Sequence, residues 1–66
     1  MNVEAPKADL MTVEDLAAYL GHTPASIRQM SHRGDLPKSA KIGRRRYWRR
    51  AAVVEWLDQK FEAASA

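Results

Sequence analysis

Basic side chains dominate the middle of the chain, and their chemistry is the most distinctive that the sequence offers. Residues 28–50 carry nine Lys or Arg side chains against the single carboxylate of Asp35, a net formal charge of +8. The flanking segments are acidic, with −3 over residues 1–27 and −2 over residues 51–66, so the whole chain has a net charge of +3. A positive field of that local density suits a polyanion. Binding of an anionic polymer is therefore the first function that the sequence predicts.

Length and composition restrict the function classes. Sixty-six residues make one small domain that buries roughly 60% of its unfolded surface, which leaves little room for an enclosed active site. The chain has no Cys, and its two His residues, His22 and His32, accompany no paired carboxylates and no nucleophile motif. We therefore predict no enzyme, no metal site and no cofactor. The absence of a spanning apolar run, a signal peptide and cysteines predicts a cytoplasmic protein without membrane contact.

Two short helices joined by a tight turn are predicted after a flexible lead-in at residues 1–9. Thr12 and Asp15 resemble a capping box at the start of the first helix, and Gly21 is suited to its C-terminal cap. Thr23 is a good N-cap for a second helix over Pro24–Arg33, because proline fits the first helical position. Apolar residues recur at spacings of three and four in both helices: Val13, Leu16, Ala17 and Leu20, then Ile27 and Met30. This pattern predicts a helix-turn-helix.

A β-hairpin and a third helix are predicted to follow. Ser39–Ile42 and Arg45–Trp48 read as strands around a two-residue type II′ turn at Gly43 and Arg44. A third helix from about Arg50 has an apolar face of Val53, Val54, Leu57 and Phe61. We expect Trp56, Phe61 and at least one of Tyr47 and Trp48 to lie in the core, since so small a domain needs its aromatic residues there.

These elements define a fold class. We predict a mainly α, winged helix-turn-helix domain over residues 10–62, consisting of three helices and a two-stranded wing. Residues 63–66 contain nothing large to bury, so we expect them to fray.

The outward face of the second helix carries side chains that can read base edges. Gln pairs with adenine, Arg pairs with guanine, and an Ala methyl can contact the methyl group of thymine in the major groove. The alternative is an ordinary solvated helix face, since polar outer surfaces are usual on soluble helices. A helical wheel gives six major-groove candidates: Ala25, Ser26, Arg28, Gln29, His32 and Arg33.

Consecutive arginines at the hairpin tip are the more informative feature. Three adjacent guanidinium groups repel one another unless an anion is present, and a phosphate backbone or minor groove would relieve that repulsion. The alternative is an edge strand that uses charge against aggregation. The candidates for wing, minor-groove and phosphate contacts are Lys41, Arg44, Arg45, Arg46, Arg49 and Arg50.

An ordered set of segments resembles the excisionase family of MerR-like winged helix-turn-helix proteins. The segments are residues 10–21 (LMTVEDLAAYLG), 23–30 (TPASIRQM), 34–37 (GDLP), 41–47 (KIGRRRY) and 53–57 (VVEWL). The resemblance implies that the second helix enters the major groove of DNA and that the hairpin lies over the adjacent minor groove or backbone. One departure is visible: Arg49 and Arg50 precede the third helix where family members often have a Ser or Asp cap, so these two arginines are candidates for phosphate contacts.

The resemblance implies an excisionase, or recombination directionality factor, of a phage or mobile element in a bacterial host. Such proteins bind tandem sites on double-stranded DNA cooperatively, bend it and direct an integrase toward excision. The acidic ends and the basic centre of neighbouring copies could meet head to tail and form a filament. Two alternatives stay open: a small transcriptional regulator on an inverted-repeat operator, and an anti-repressor-like module that binds an acidic protein.

Overall fold

The computed structural model of the protein describes residues 9–65, which form three helices and a three-stranded antiparallel sheet. The elements are β1 (Leu10–Met11), α1 (Val13–Leu20), α2 (Pro24–Arg33), β2 (Ser39–Ile42), β3 (Arg45–Arg49) and α3 (Arg50–Ser65). The strand order is β1-β3-β2, with both pairs antiparallel. This arrangement is the predicted winged helix-turn-helix, in which we call the β2–β3 hairpin, Ser39–Arg49, the wing.

The ends of α1 and α2 are set by local hydrogen bonds that the sequence predicts. Thr12 and Asp15 form a reciprocal capping box, in which each backbone N–H donates to the other side chain at 3.1 Å. Thr23 caps α2 by accepting from the backbone N–H of Ser26 at 3.1 Å, and Pro24 occupies the first turn. Gly21 ends α1 in the left-handed conformation, with φ of 73°. The three residues 21–23 are therefore enough to turn the chain between the two helices.

The wing has the predicted two-residue turn. Ile42 pairs with Arg45 across it. Gly43 has φ of 65°, and only glycines have positive φ within residues 9–65, so Arg44 does not. Positive φ at the first central position alone distinguishes a type II′ turn from type I′. The basic side chains that follow Gly43 are thereby held at the tip of the hairpin.

The third strand of the sheet, β1, is absent from the sequence prediction and adds to the two-stranded wing, which has the predicted form. Leu10 pairs with Arg49, and Met11 pairs with Trp48. Two residues are too short a run for a local strand pattern, and β1 exists because its partner strand brings the required backbone groups from the far end of the domain. The sheet joins the start of the helix-turn-helix to the base of the wing.

The core lies between the sheet and the helices and is small. Its buried members are Met11, Leu16, Ala17, Ile27, Trp48 and Val53. The expectation that Tyr47 or Trp48 is in the core is confirmed, since Trp48 is only 1% exposed. Its indole N–H donates to the carbonyl of Pro37 at 3.1 Å, so the ring's polar atom is also satisfied.

The far end of α3 extends past the core. Every residue from Asp58 to Ser65 is exposed, and the longest dimension of the molecule is 43 Å against 25 and 19 Å for the others. The prediction that Phe61 lies in the core is wrong, because its side chain is 69% exposed. Sixteen residues span about 24 Å of helix, and the small sheet and the two other helices cover only the first half.

Two predicted boundaries concern the chain ends. The lead-in at residues 1–9 lies outside the described residues except for Asp9, which is exposed. The domain was expected to end at residue 62 with fraying beyond it, whereas α3 continues to Ser65, whose hydroxyl donates to the carbonyl of Glu62. Alanine at positions 63 and 64 favours this extension because it is the best helix former.

Candidate nucleic-acid interface

The outward face of α2 is as exposed as the helical wheel predicts. Ile27 is fully buried on the inner side, while five of the six predicted major-groove residues are exposed: Ala25, Arg28, Gln29, His32 and Arg33. Ser26 is half-buried near the start of the helix, where its backbone N–H donates to the cap. The helix therefore presents a polar face whose side chains are available to a partner.

The wing carries its basic side chains on paired strands. Arg46 lies directly opposite Lys41, which places two like charges at a cross-strand position where they repel. The Arg46 guanidinium donates through Nη1 to the hydroxyl of Ser39, two residues before Lys41 on β2, at 2.8 Å. Ser39 thus holds Arg46 beside the sheet, while Arg44 occupies the turn and Arg45 is the first residue of β3.

A groove of about 620 Å³ lies between α2 and the wing, with the start of α1 at its edge. It brings together six of the predicted contact residues: Arg28 and His32 from α2, with Lys41, Arg44, Arg45 and Arg46 from the wing. Two cationic elements that are separate in the sequence thus become one concave, positively charged surface, which we call the basic groove. Concentrated positive charge in a concavity attracts and orients an anionic strand.

The remaining predicted contact residues lie outside the lining of the basic groove. Ala25, Ser26, Gln29 and Arg33 are on other parts of α2. The Arg33 side chain donates through Nε to the Asp35 carboxylate at 3.0 Å, in an ion pair exposed on both sides. That pair occupies one donor of Arg33 and leaves its other N–H groups for a ligand.

Arg49 and Arg50 stand at the base of the wing and do not line the basic groove. Arg49 pairs with Leu10 at the last position of β3. The Arg50 guanidinium lies 5.7 Å from the centre of the Tyr19 ring of α1, within the range of a cation–π contact. Arg50 therefore also connects α3 to α1, a role that its charge and position in the sequence did not reveal.

Replacing Arg49 by Ser tests separately whether Arg49 contacts phosphate and whether it destabilises the start of α3. Arg49 directly precedes the first residue of α3, and a Ser at a helix N-cap contributes about 1 kcal/mol relative to non-capping residues. We expect Arg49→Ser to raise the free energy of unfolding and to weaken DNA binding about fivefold, the contribution of one phosphate contact. Urea denaturation and a DNA titration measure the two effects, and raised stability with unchanged affinity would exclude Arg49 as a phosphate contact.

Three polar side chains that line the basic groove are not among the contact residues predicted from the sequence. Thr12, Glu14 and Ser31 are among its lining residues, and Glu14 Oε2 lies 3.8 Å from Arg28 Nη2. No local pattern indicates their position, because it depends on how α1 packs beside α2 and the wing. Glu14 adds a negative charge to a surface that is otherwise cationic.

Residues 9–65 contain neither a metal-binding cluster nor a membrane-spanning helix. Within that range, no group of three or more His, Cys, Asp or Glu side chains is arranged to hold a metal ion. No helix among these residues is both long and apolar enough to cross a membrane.

A helix-turn-helix whose second helix is exposed beside a basic β wing defines a class of DNA-binding domain. The chain belongs to the helix-turn-helix domain family, whose model matches residues 10–60. This is a DNA-binding family that includes excisionase-like proteins. No curated protein and no solved structure matches the chain.

Proposed function

We propose that this protein is an excisionase-like architectural factor that binds double-stranded DNA with α2 in the major groove and the wing over the adjacent minor groove and backbone. The observation that carries the proposal is the basic groove, in which Arg28 and His32 of α2 face the same space as the wing arginines. A backbone strand passing between a helix in one groove and a hairpin in the next would occupy that space. The major groove is about 12 Å wide and admits a helix.

The same proposal assigns the contacts by chemistry. Base reading is proposed for the α2 face, at Ala25, Ser26, Arg28, Gln29, His32 and Arg33. Minor-groove and phosphate contacts are proposed for Lys41, Arg44, Arg45, Arg46, Arg49 and Arg50. The protein acts on DNA shape and catalyses no reaction, so its effect on recombination would come from an integrase that it helps to assemble on bacterial or phage DNA in the cytoplasm.

Cooperative binding of neighbouring copies is part of this function, and the charge distribution supports a head-to-tail contact. The distal half of α3, residues 58–65, carries two carboxylates against Lys60 alone, and Phe61 is exposed within it. The basic wing has the opposite charge. A contact between the distal half of one copy and the wing of the next is heterologous, and repeats of it would form an open filament along DNA.

Bending of the DNA is part of the proposal, because several copies bound to one stretch of duplex can together offset its cost. Bending a site by 40–90° costs about 1–6 kcal/mol. Phosphate contacts from several basic grooves could offset that cost. Tandem sites with a regular spacing are therefore the arrangement that this proposal requires.

Footprinting combined with circular-permutation gel shifts tests the proposal, using DNA from either side of the gene. Several direct repeats filled cooperatively on bent DNA would support the excisionase function. One inverted repeat that overlaps a promoter, with little bending, would instead indicate a transcriptional regulator.

Salt dependence distinguishes DNA binding from the protein-interaction alternative. About five phosphate contacts predict a slope of roughly −4 to −5 when the logarithm of the binding constant is plotted against the logarithm of salt concentration. A complete absence of protected DNA, together with binding to an acidic protein, would contradict the proposal and favour the anti-repressor-like module.

Replacing Gln29 by Ala tests base reading on α2. Gln29 is exposed, and its side chain makes no hydrogen bond within residues 9–65 that would contribute to the fold. We expect Gln29→Ala to relax the sequence preference at one base position, with a loss of about 1–3 kcal/mol on the preferred base. Selection from a randomised duplex library measures the preference, and a uniform loss of affinity for every sequence would exclude base reading by Gln29.

A further inference from the structure

Glu14 lies in the basic groove, and the function proposed above gives it no role. It is the second residue of α1 and, among the described residues that line the groove, the only one with a carboxylate. Helix capping does not require it, because Thr12 and Asp15 already satisfy each other's backbone N–H groups. An acidic group at this position repels the phosphates that the groove otherwise attracts.

The contact that Glu14 makes is with a proposed base-reading residue. Glu14 Oε2 is 3.8 Å from Nη2 of Arg28, so the pair connects α1 to α2, and each side chain is 62% exposed. Exposed ion pairs contribute little to folding stability. The contact therefore has more consequence for what the Arg28 guanidinium can bind than for the fold.

A carboxylate beside Arg28 affects its two classes of DNA ligand differently. The guanidinium has five N–H donors, and in the groove it can meet either a phosphate or the edge of a base. A phosphate is anionic and is repelled by Glu14, whereas guanine presents the uncharged acceptors O6 and N7. Glu14 therefore weakens the phosphate contact, which every DNA sequence offers, more than it weakens the guanine contact, which only one base offers.

We propose that Glu14 is a specificity-determining residue that positions Arg28 and keeps phosphate away from it, so that the protein binds non-preferred DNA weakly relative to its preferred sequence. The inference rests on the proposed DNA-binding function. Glu14 gives specificity by repulsion: it lowers affinity for the competing phosphate ligand and does not raise affinity for the correct base. Glu14 touches Arg28 and acts on DNA through it.

The test compares Glu14→Gln with the wild-type chain on two duplexes of about 20 base pairs. One duplex carries the sequence that the wild-type chain selects from a random library, and the other is a scrambled version of it. We expect Glu14→Gln to raise affinity for the scrambled duplex about threefold to fivefold and to steepen its salt slope by about 0.9. Affinity for the selected duplex should rise less, so the ratio of the two affinities falls.

Two further variants make the result specific to the Glu14–Arg28 pair. Glu55→Gln removes the same charge from α3, outside the groove, and should leave the ratio unchanged. In an Arg28→Ala background, Glu14→Gln should change the ratio less than it does in the wild-type chain.

The outcomes separate this inference from the function on which it rests. If Glu14→Gln raises both affinities equally, as a general charge effect would, or changes neither, the inference is overturned while DNA binding stands. If the wild-type chain selects no duplex and binds both with the same affinity, the proposed sequence-specific function fails and the inference fails with it. Thermal unfolding of each variant shows whether the fold is intact.

Discussion

Replacing Arg44, Arg45 and Arg46 together by Ala is expected to weaken DNA binding by about two orders of magnitude near physiological salt, with the fold retained. All three side chains line the basic groove beside α2. If each guanidinium neutralises one phosphate, their removal makes the salt slope shallower by about 2.7. At about 0.15 M salt that change corresponds to roughly a hundredfold loss of affinity, shared by every DNA sequence.

The fold should tolerate this replacement because the three arginines contribute repulsion as well as contacts. All three are exposed, and Arg46 lies opposite Lys41, a like-charge pair that destabilises a hairpin. The one side-chain hydrogen bond identified for them, from Arg46 to the Ser39 hydroxyl, is exposed and contributes little. The melting temperature is therefore expected to stay the same or rise slightly.

Fluorescence anisotropy with a labelled duplex, repeated at several salt concentrations, measures the slope directly. On a duplex that holds a single site, where no neighbouring copy binds, Lys60→Ala is a suitable control for Arg45→Ala, since Lys60 is a single exposed cation on α3, outside the groove and beside the Trp56 ring. We expect the Lys60 variant to keep the wild-type slope and Arg45→Ala to lose about 0.9 of it. A triple variant whose slope matches that of the wild-type chain would show that the wing does not contact phosphate.

The helix-turn-helix and the wing could be predicted because their boundaries are encoded locally. Thr23 and Pro24 specify the start of α2, and Gly34 specifies its end, through hydrogen bonds that span three or four positions at each end. Gly43 likewise specifies the turn of the wing through its own backbone conformation. Signals of this kind need no knowledge of the rest of the molecule.

The remaining features depend on contacts between distant parts of the chain. β1 is a strand only because Met11 meets Trp48, and Phe61 is exposed because the domain body ends before α3 does. An apolar helical stripe shows which residues share a face, but it does not show whether another element covers that face.

The candidate site was only partly predictable for the same reason. The exposed α2 face and the charged wing follow from sequence spacing, whereas their meeting in one groove is a tertiary result. Glu14 became visible as a groove residue only when α1 was placed beside Arg28. An acidic residue in the first turn of a helix otherwise indicates nothing more than a favourable interaction with the helix dipole.

Replacing Trp48 by Ala is expected to have the largest effect on stability. Trp48 lies on the central strand, between Met11 of β1 and Ser39 of β2, and is 1% exposed. Truncation of a buried Trp costs about 3–5 kcal/mol, while a domain of this length has a total free energy of unfolding of about 3–10 kcal/mol. We expect Trp48→Ala to be largely unfolded or close to it, as measured by urea denaturation followed by far-UV circular dichroism.

Two matched variants show whether this loss comes from the buried ring itself. Trp56→Ala truncates a partly exposed Trp on α3 and should cost far less. Trp48→Phe keeps an aromatic ring but removes the indole N–H that donates to the Pro37 carbonyl, at a cost of about 1–3 kcal/mol if that carbonyl loses its partner. The expected order of stability is wild type, then Trp48→Phe, then Trp48→Ala. Equal denaturation midpoints for Trp48→Ala and Trp56→Ala would contradict the assignment of Trp48 to the core.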